Sequence, residues 1–276
     1  MLKIYHIYDI ANLITIIVNM AKKTQYFSTS LEKGLAILSL FNKDRSSISQ
    51  TEISRLLELN MTSTYRYINT FVELGYLEKD KQTKQLRPGI QTMLLCTNLL
   101  QAADNLRWVR KEVDRVHEMH NITIDVCLIH DETSMRIYHR EAAETLTYNL
   151  PEVAINCLHN TSTGKAYLST LPDEELIKTV ERIPKEKKTK NTITESGALY
   201  EEIIKTKARG YAMCNEEFLP GLITLGAPLI GLNSGRCLGS VTFDFSVIQN
   251  SPEEVEADYT QLVVELAKKL SDLLAD

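Results

Sequence analysis

Cysteine is scarce in this chain and arranged for nothing obvious. Five stand at positions 96, 127, 157, 214 and 237, an odd number with no CxxC spacing. That argues against a secreted disulfide framework and against a structural zinc site, and implies a reducing cytosol. Glycine (11 residues) and proline (7) are too few for a collagen-like or low-complexity chain. Long apolar runs are missing as well. The longest near the front, residues 10–18, is broken by Asn12 and Thr15 and falls short of the ~20 residues a membrane span needs. A secretory leader fits no better, because Asp9 sits where positive charge belongs and no small-residue cleavage site follows. Met20-Ala21-Lys22-Lys23 reads as an ordinary start, so residues 1–21 are assigned as an extension, with an over-extended reading frame as the alternative.

Catalytic signatures are equally thin. There is no GxSxG elbow and no HExxH. Gly164-Lys165 resembles the end of a P-loop, but His159 stands where its first glycine belongs and Ala166 replaces the Ser/Thr. His117 and His120 lie three apart on a helical stretch without a third ligand at a recognisable spacing, so they read as surface histidines. No metal site and no cofactor are expected.

What remains is an ordinary soluble composition, 43% hydrophobic and 24% charged, over 276 residues, enough for two domains. A net charge of −5 looks poorly suited to nucleic acid, but it is unevenly spread. Residues 22–92 carry eleven Lys+Arg against seven Asp+Glu, leaving −9 for residues 93–276 once the neutral first 21 are set aside. A basic front and an acidic rear suggest two jobs, the front one facing phosphate.

From Ser28 the front becomes periodic. Leu31, Leu35, Leu38 and Phe41 share one face of a helix, with Ser28, Thr29 and Ser30 as candidate caps. Ser49-Gln50-Thr51-Glu52 has the capping-box pattern ahead of Ile53, Leu56 and Leu57. Glu58-Leu59-Asn60 makes a turn in which Asn60 tolerates the unusual backbone angles. A third helix over 62–74 buries Thr64, Ile68 and Phe71 and turns Thr62, Arg66, Asn69 and Glu73 outward, flanked by Ser63 and Tyr65. Short hydroxyls, an amide and an arginine suit phosphate oxygens and base edges. Gly75 ends that helix, and a hairpin follows over 76–79 and 84–87, its polar tip carrying Lys81 beside Lys84. Three helices and a basic-tipped hairpin make a winged helix-turn-helix, with Thr62, Ser63, Tyr65, Arg66, Asn69, Lys81 and Lys84 as its DNA-contacting candidates.

These residues are also familiar. Residues 30–38 (SLEKGLAIL), Thr62-Ser63-Thr64-Tyr65-Arg66 and Leu74-Gly75-Tyr76-Leu77 resemble the DNA-binding domain of the IclR family of bacterial transcriptional regulators. In the rear half, residues 159–166 (HNTSTGKA), Arg209-Gly210-Tyr211-Ala212, Glu216-Glu217, Pro220-Gly221 and Ala227-Pro228 are similar to that family's effector-domain motifs, in its order. The chain departs from the pattern with Cys214 and Asn215 in place of acidic residues, and with Thr242 and Asp244 where a Ser-x-Ser pair is common.

The resemblance implies domains at 22–88 (winged helix-turn-helix), 89–104 (linker helix) and 105–276 (effector-binding). The rear is then an α+β, GAF-like domain with an antiparallel sheet, in keeping with the β-rich stretches at 122–129, 135–140, 222–230 and 237–245 and a closing helix capped at Ser251. The helix start at 161–164 offers free amides and hydroxyls to a small carboxylate. Carried over by resemblance, the effector-binding candidates are Ser162, Thr163, Cys214, Asn215, Thr224, Thr242 and Asp244. An inward Asp244 would repel a carboxylate unless protonated or paired, and would then favour hydroxyls or an amine.

The expected protein is a cytoplasmic regulator of double-stranded DNA operators, a homodimer or dimer of dimers paired partly through Leu35, Leu38 and the linker, whose affinity a small metabolite tunes. The alternative is a cysteine-dependent hydrolase using Cys214 or Cys157, with a winged helix kept for protein contacts.

Overall fold

The computed structural model describes residues 26–42, 45–102, 104–130, 132–143, 146, 148 and 150–274. The extension assigned to residues 1–21 lies outside them. The chain divides into two compact units, one ending at Ala103 and the other beginning at Asp104.

In the front unit, α1 (Thr29–Leu38) starts at Ser28, whose Oγ accepts from the Leu31 amide at 3.4 Å. The buried face takes in only part of the expected stripe, Leu38 and Phe41, which pack against the core half-buried. Ile37 and Leu40 are fully buried, whereas Leu31 and Leu35 are 63% and 55% exposed. The helix instead turns Gly34 and Ile37 inward, with the ring of Phe71 lying over Gly34. Next, α2 (Gln50–Leu56) is capped by Ser49, whose Oγ accepts from Glu52 N at 3.2 Å. The turn that follows works differently from the expectation for Asn60. Glu58 takes the positive φ of 51°, and Asn60 stays extended as the N-cap of α3 (Met61–Glu73), its Oδ1 accepting from Ser63 N at 2.8 Å. An N-cap needs extended backbone and a side-chain acceptor, and the carboxamide serves there.

Gly75 follows α3 with φ 76°, the left-handed conformation that ends a helix without a Cβ penalty. β1 (Leu77–Lys79) and β2 (Leu86–Pro88) then pair antiparallel, and Ile48 bridges to Leu86 through both backbone bonds, 3.0 and 2.9 Å. Ile37, Leu40, Ile48, Ile53, Ile68, Leu77 and Leu86 close one apolar core around these elements. Each such side chain contributes about 1.5–3 kcal/mol through burial. α4 (Ile90–Ala102) ends the unit with Ile90, Met93, Leu94, Leu95 and Leu99 exposed.

The rear unit runs α5 (Asp104–His120), β3 (Thr123–His130), β4 (Thr133–Arg140), β5 (Val153–Ile155), α6 (Ser162–Leu168), α7 (Asp173–Arg182), α8 (Ser196–Arg209), β6 (Ala212–Asn215), β7 (Leu222–Ile230), β8 (Cys237–Ser246) and α9 (Pro252–Leu273). Its six strands form one antiparallel sheet in the order β5-β4-β3-β8-β7-β6. Alternation decides what each face meets. Ile223, Leu225, Ala227 and Leu229 point to the core shared with α5 and α9. Thr224 and Gly226 point the other way, where a Cβ on Gly226 would come to 3.0 Å from Ser162 Cβ, so any larger residue there would require α6 to give by a few tenths of an ångström. α9 starts with the full capping box, Glu254 N to Ser251 Oγ at 3.2 Å and Ser251 N to Glu254 Oε2 at 2.8 Å, with Pro252 behind it.

Candidate nucleic-acid interface and ligand cleft

The α3 helix divides its residues sharply. Thr64 and Ile68 face inward and are fully buried, and the Thr64 hydroxyl is satisfied by donating to Asn60 O at 3.0 Å. Thr62, Tyr65 and Arg66 are exposed, while Ser63 and Asn69 are half-buried beside them. Arg66 makes no ion pair among the described residues. A free guanidinium flanked by hydroxyls on a solvent-facing helix can fork onto a guanine edge or a phosphate.

The wing supplies less free charge than its sequence suggests. Asp80 organises the tip, accepting from Gln82 N (2.9 Å), Thr83 N (2.7 Å) and Thr83 Oγ1 (2.9 Å). These bonds, the Thr83 amide foremost, hold its carboxyl below the usual range. Lys84 has a φ of 60° and its Nζ donates to Lys81 O at 2.7 Å, while Arg87 pairs with Glu78 at 2.9 Å. Lys81 projects from the tip with its ammonium uncommitted.

In the rear unit, strand register brings polar side chains together along one side of a cleft. Cys214, Thr224, Asp244 and Thr123 stand in one row across β6, β7, β8 and β3; Gly226, Thr242, Asp125 and His139 stand in the next, running from β7 to β4. With the start of α6 laid over them, Thr224, Asp244, Thr242 and Asp125 of these rows border a cleft whose roughly 540 Å³ of empty space includes open solvent. Ser162, Thr163, Thr224, Thr242 and Asp244 all line it. Leu150, Pro151, Ala154, Phe218 and Leu222 give it an apolar wall.

Two of the residues carried over by resemblance lie elsewhere. Cys214 shares the row of Thr224 but is buried against the ion pair of Lys165 Nζ and Glu217 Oε1 (2.5 Å), off the cleft. Asn215 is off it too, giving its carbonyl to Asn191 Nδ2 at 3.1 Å. The anion site expected at the helix start is also reduced. Thr161 Oγ1 already caps Gly164 N at 3.1 Å, and Lys165, buried with Glu217, is turned away from the cleft.

Three side chains with ionisable groups were not anticipated. Asp125 accepts from Arg136 Nη1 at 3.3 Å and meets His139 Nδ1 at 2.5 Å, and Arg136 Nη2 also donates to Leu150 O at 3.4 Å. The available signal was an acid alone inside the β-branched run 122–129. Asp244 sits near this group. Burial, reinforced by the neighbouring Asp125, raises its carboxyl well above the ordinary carboxylate value and so favours the protonated form.

Neither candidate nucleophile is set up for catalysis. Burial pushes the Cys214 thiol far up and raises Cys157, and Cys127 in the cleft is pushed up to about 12. A thiol is a nucleophile only as thiolate, and these sit in the environments that suppress it.

A winged helix-turn-helix in one unit and, in the other, an α+β fold with a cleft lined by both polar and apolar side chains define a ligand-responsive DNA-binding regulator. Comparison with known proteins agrees. The IclR helix-turn-helix domain matches residues 30–81, and the bacterial transcriptional regulator IclR C-terminal domain matches 97–272. The chain belongs to the IclR family of transcriptional regulators, DNA-binding proteins with an effector-binding C-terminal domain. It is 25% identical over 242 residues to the HTH-type transcriptional regulator BhcR of Paracoccus denitrificans, covering 88% of this chain and 86% of that one. Among solved structures it is similar to the IclR transcriptional regulator of Alicyclobacillus acidocaldarius (TM-score 0.76, 17% identity, 90% and 99% coverage). It is also similar to an IclR homologue of Microbacterium hydrocarbonoxydans solved with 4-hydroxybenzoate (TM-score 0.69, 18% identity, 89% and 97% coverage).

Proposed function

We propose that this protein acts in the cytoplasm as a homodimer, that α3 enters the major groove of its operator, and that a small carboxylate in the rear cleft changes operator affinity. The observation that carries the DNA part is the uncommitted Arg66 on the outer face of α3, with Thr62, Ser63, Tyr65 and Asn69 around it. Lys81 on the wing serves a neighbouring phosphate, and Lys84 joins it if its ammonium leaves the Lys81 carbonyl. Exposed Leu31 and Leu35 on α1, and Met93, Leu94 and Leu99 on α4, support pairing with a second copy.

For the ligand, Ser162, Thr163, Thr224, Thr242 and Asp244 converge on one cleft with an apolar wall, the usual make-up of a small-molecule site. The Microbacterium hydrocarbonoxydans homologue, solved with an aromatic carboxylate, supports that ligand class. A ligand can alter DNA affinity only through its different affinity for the two states, free and DNA-bound. The test fills the cleft. Thr163→Trp removes the response of operator binding to added carboxylates and leaves binding itself intact, read by fluorescence anisotropy; a normal response in that variant removes the cleft from the account.

A further inference from the structure

The cleft holds a charge arrangement that a plain carboxylate does not use. Arg136 is the one Lys or Arg among its lining residues. Both hydrogen bonds of its guanidinium are long, 3.3 Å to Asp125 Oδ2 and 3.4 Å to Leu150 O, against ~2.7–2.9 Å for a well-formed charge-assisted bond. Its side chain is only 17% exposed and that of Asp125 only 5%, so the pair is held in poor geometry where good geometry would count most. Asp125 has a second and shorter partner in His139, at 2.5 Å, and does not depend on Arg136. The Asp244 side chain looks into the same space from β8, and its carboxyl makes no hydrogen bond to any described residue. Around it stand Asp125, Arg136, His139 and, at the rim, Glu141 and Glu152.

A monocarboxylate would engage Arg136 and leave Asp125 and Asp244 without a new donor. An amine would do the reverse. We propose that the cleft's ligand is a small zwitterion, an amino acid whose carboxylate pairs with Arg136 and whose ammonium lies between Asp125 and Asp244. The proposal rests on the carboxylate reading above and adds the second charge. One long internal ion pair is exchanged for two pairs to the ligand, and no buried charge is stranded. The ammonium arrives already protonated and gives the Asp244 carboxyl the donor it lacks; a cation beside that carboxyl favours its ionised form, and any proton it releases passes to solvent. The wall of Leu150, Ala154, Phe218 and Leu222 takes an apolar side chain.

Isothermal titration of the full chain tests this with alanine, valine, leucine and phenylalanine, each beside its 2-hydroxy acid, its 2-oxo acid and its amide. The expected result is at least one amino acid binding tenfold or more tighter than all three of its analogues. Titration in two buffers of different ionisation enthalpy should show net proton release on binding, and Asp244→Asn should abolish it. A hydroxy or oxo acid binding as tightly as the amino acid overturns the ammonium assignment and leaves the carboxylate reading standing. An amide binding as tightly overturns the carboxylate reading itself. No binding in any series overturns the proposal outright.

Discussion

The two units use polar side chains in opposite ways. The front unit closes a small core of seven buried apolar residues and leaves Thr62, Tyr65, Arg66 and Lys81 in water. The rear unit buries its chemistry. Asp125, Thr163, Lys165, Glu217, Thr224 and Thr242 are all interior. Binding a phosphate backbone needs charge that is available before contact, and solvent keeps such charge inexpensive. Recognising a small molecule needs few groups held in low dielectric, where each one counts for more and a missing partner is costly. Substitutions in the front unit should therefore alter binding with little change in stability, and those in the rear unit should alter both.

The largest effect should come from Lys165→Met. It strands Glu217, whose Oε2 already lacks a partner, and removing one member of a buried pair costs about 3–5 kcal/mol. Burial raises the Glu217 carboxyl, so part of the loss can be relieved by protonation. Urea denaturation reads the change, and a loss below 1 kcal/mol would blur the contrast between the units.

A smaller effect should appear at Asp244. Its raised pKa means the folded state holds a proton that the unfolded state has released above the ordinary carboxylate range. Stability should fall as pH rises from about 4 towards the folded pKa, with a slope of at most ~1.4 kcal/mol per pH unit. Asp244→Asn should flatten that slope, being more stable than the parent at pH 8 and no better at pH 4 in thermal melts. The smallest effect belongs to Lys81→Ala. It should leave stability alone, weaken DNA binding evenly across sequences and lower the salt slope of log K by about 0.9. A sequence-dependent loss would move Lys81 from phosphate to base contact.

Much of this contrast was legible in the sequence where it rests on short periodicities. The helix period separates Arg66 from Ile68 on α3, and the strand period puts Thr242 and Asp244 on one face two residues apart. Asp125, Arg136 and His139 were not legible as a group. Their meeting depends on which strands pair and on a register shift between Val126 and Cys127 that brings Cys127 opposite Arg136. Cys214 shows the limit of resemblance. It lies in the same row as Thr224, yet Lys165 and Glu217 occupy the space beside it. On α1 the leucine stripe is split: Leu38 and Phe41 pack against the core while Leu31 and Leu35 stay exposed, and Gly34, over which the Phe71 ring lies, faces inward instead.

Arg66 offers the most direct measurement. Duplexes selected by the protein from a random pool supply an operator, and anisotropy titration at fixed salt compares the parent with Arg66→Ala. Outward presentation of α3 predicts a loss of about 1–3 kcal/mol, roughly 5- to 150-fold in Kd, and relaxed preference at one base position. Equal affinity and unchanged base preference would contradict it.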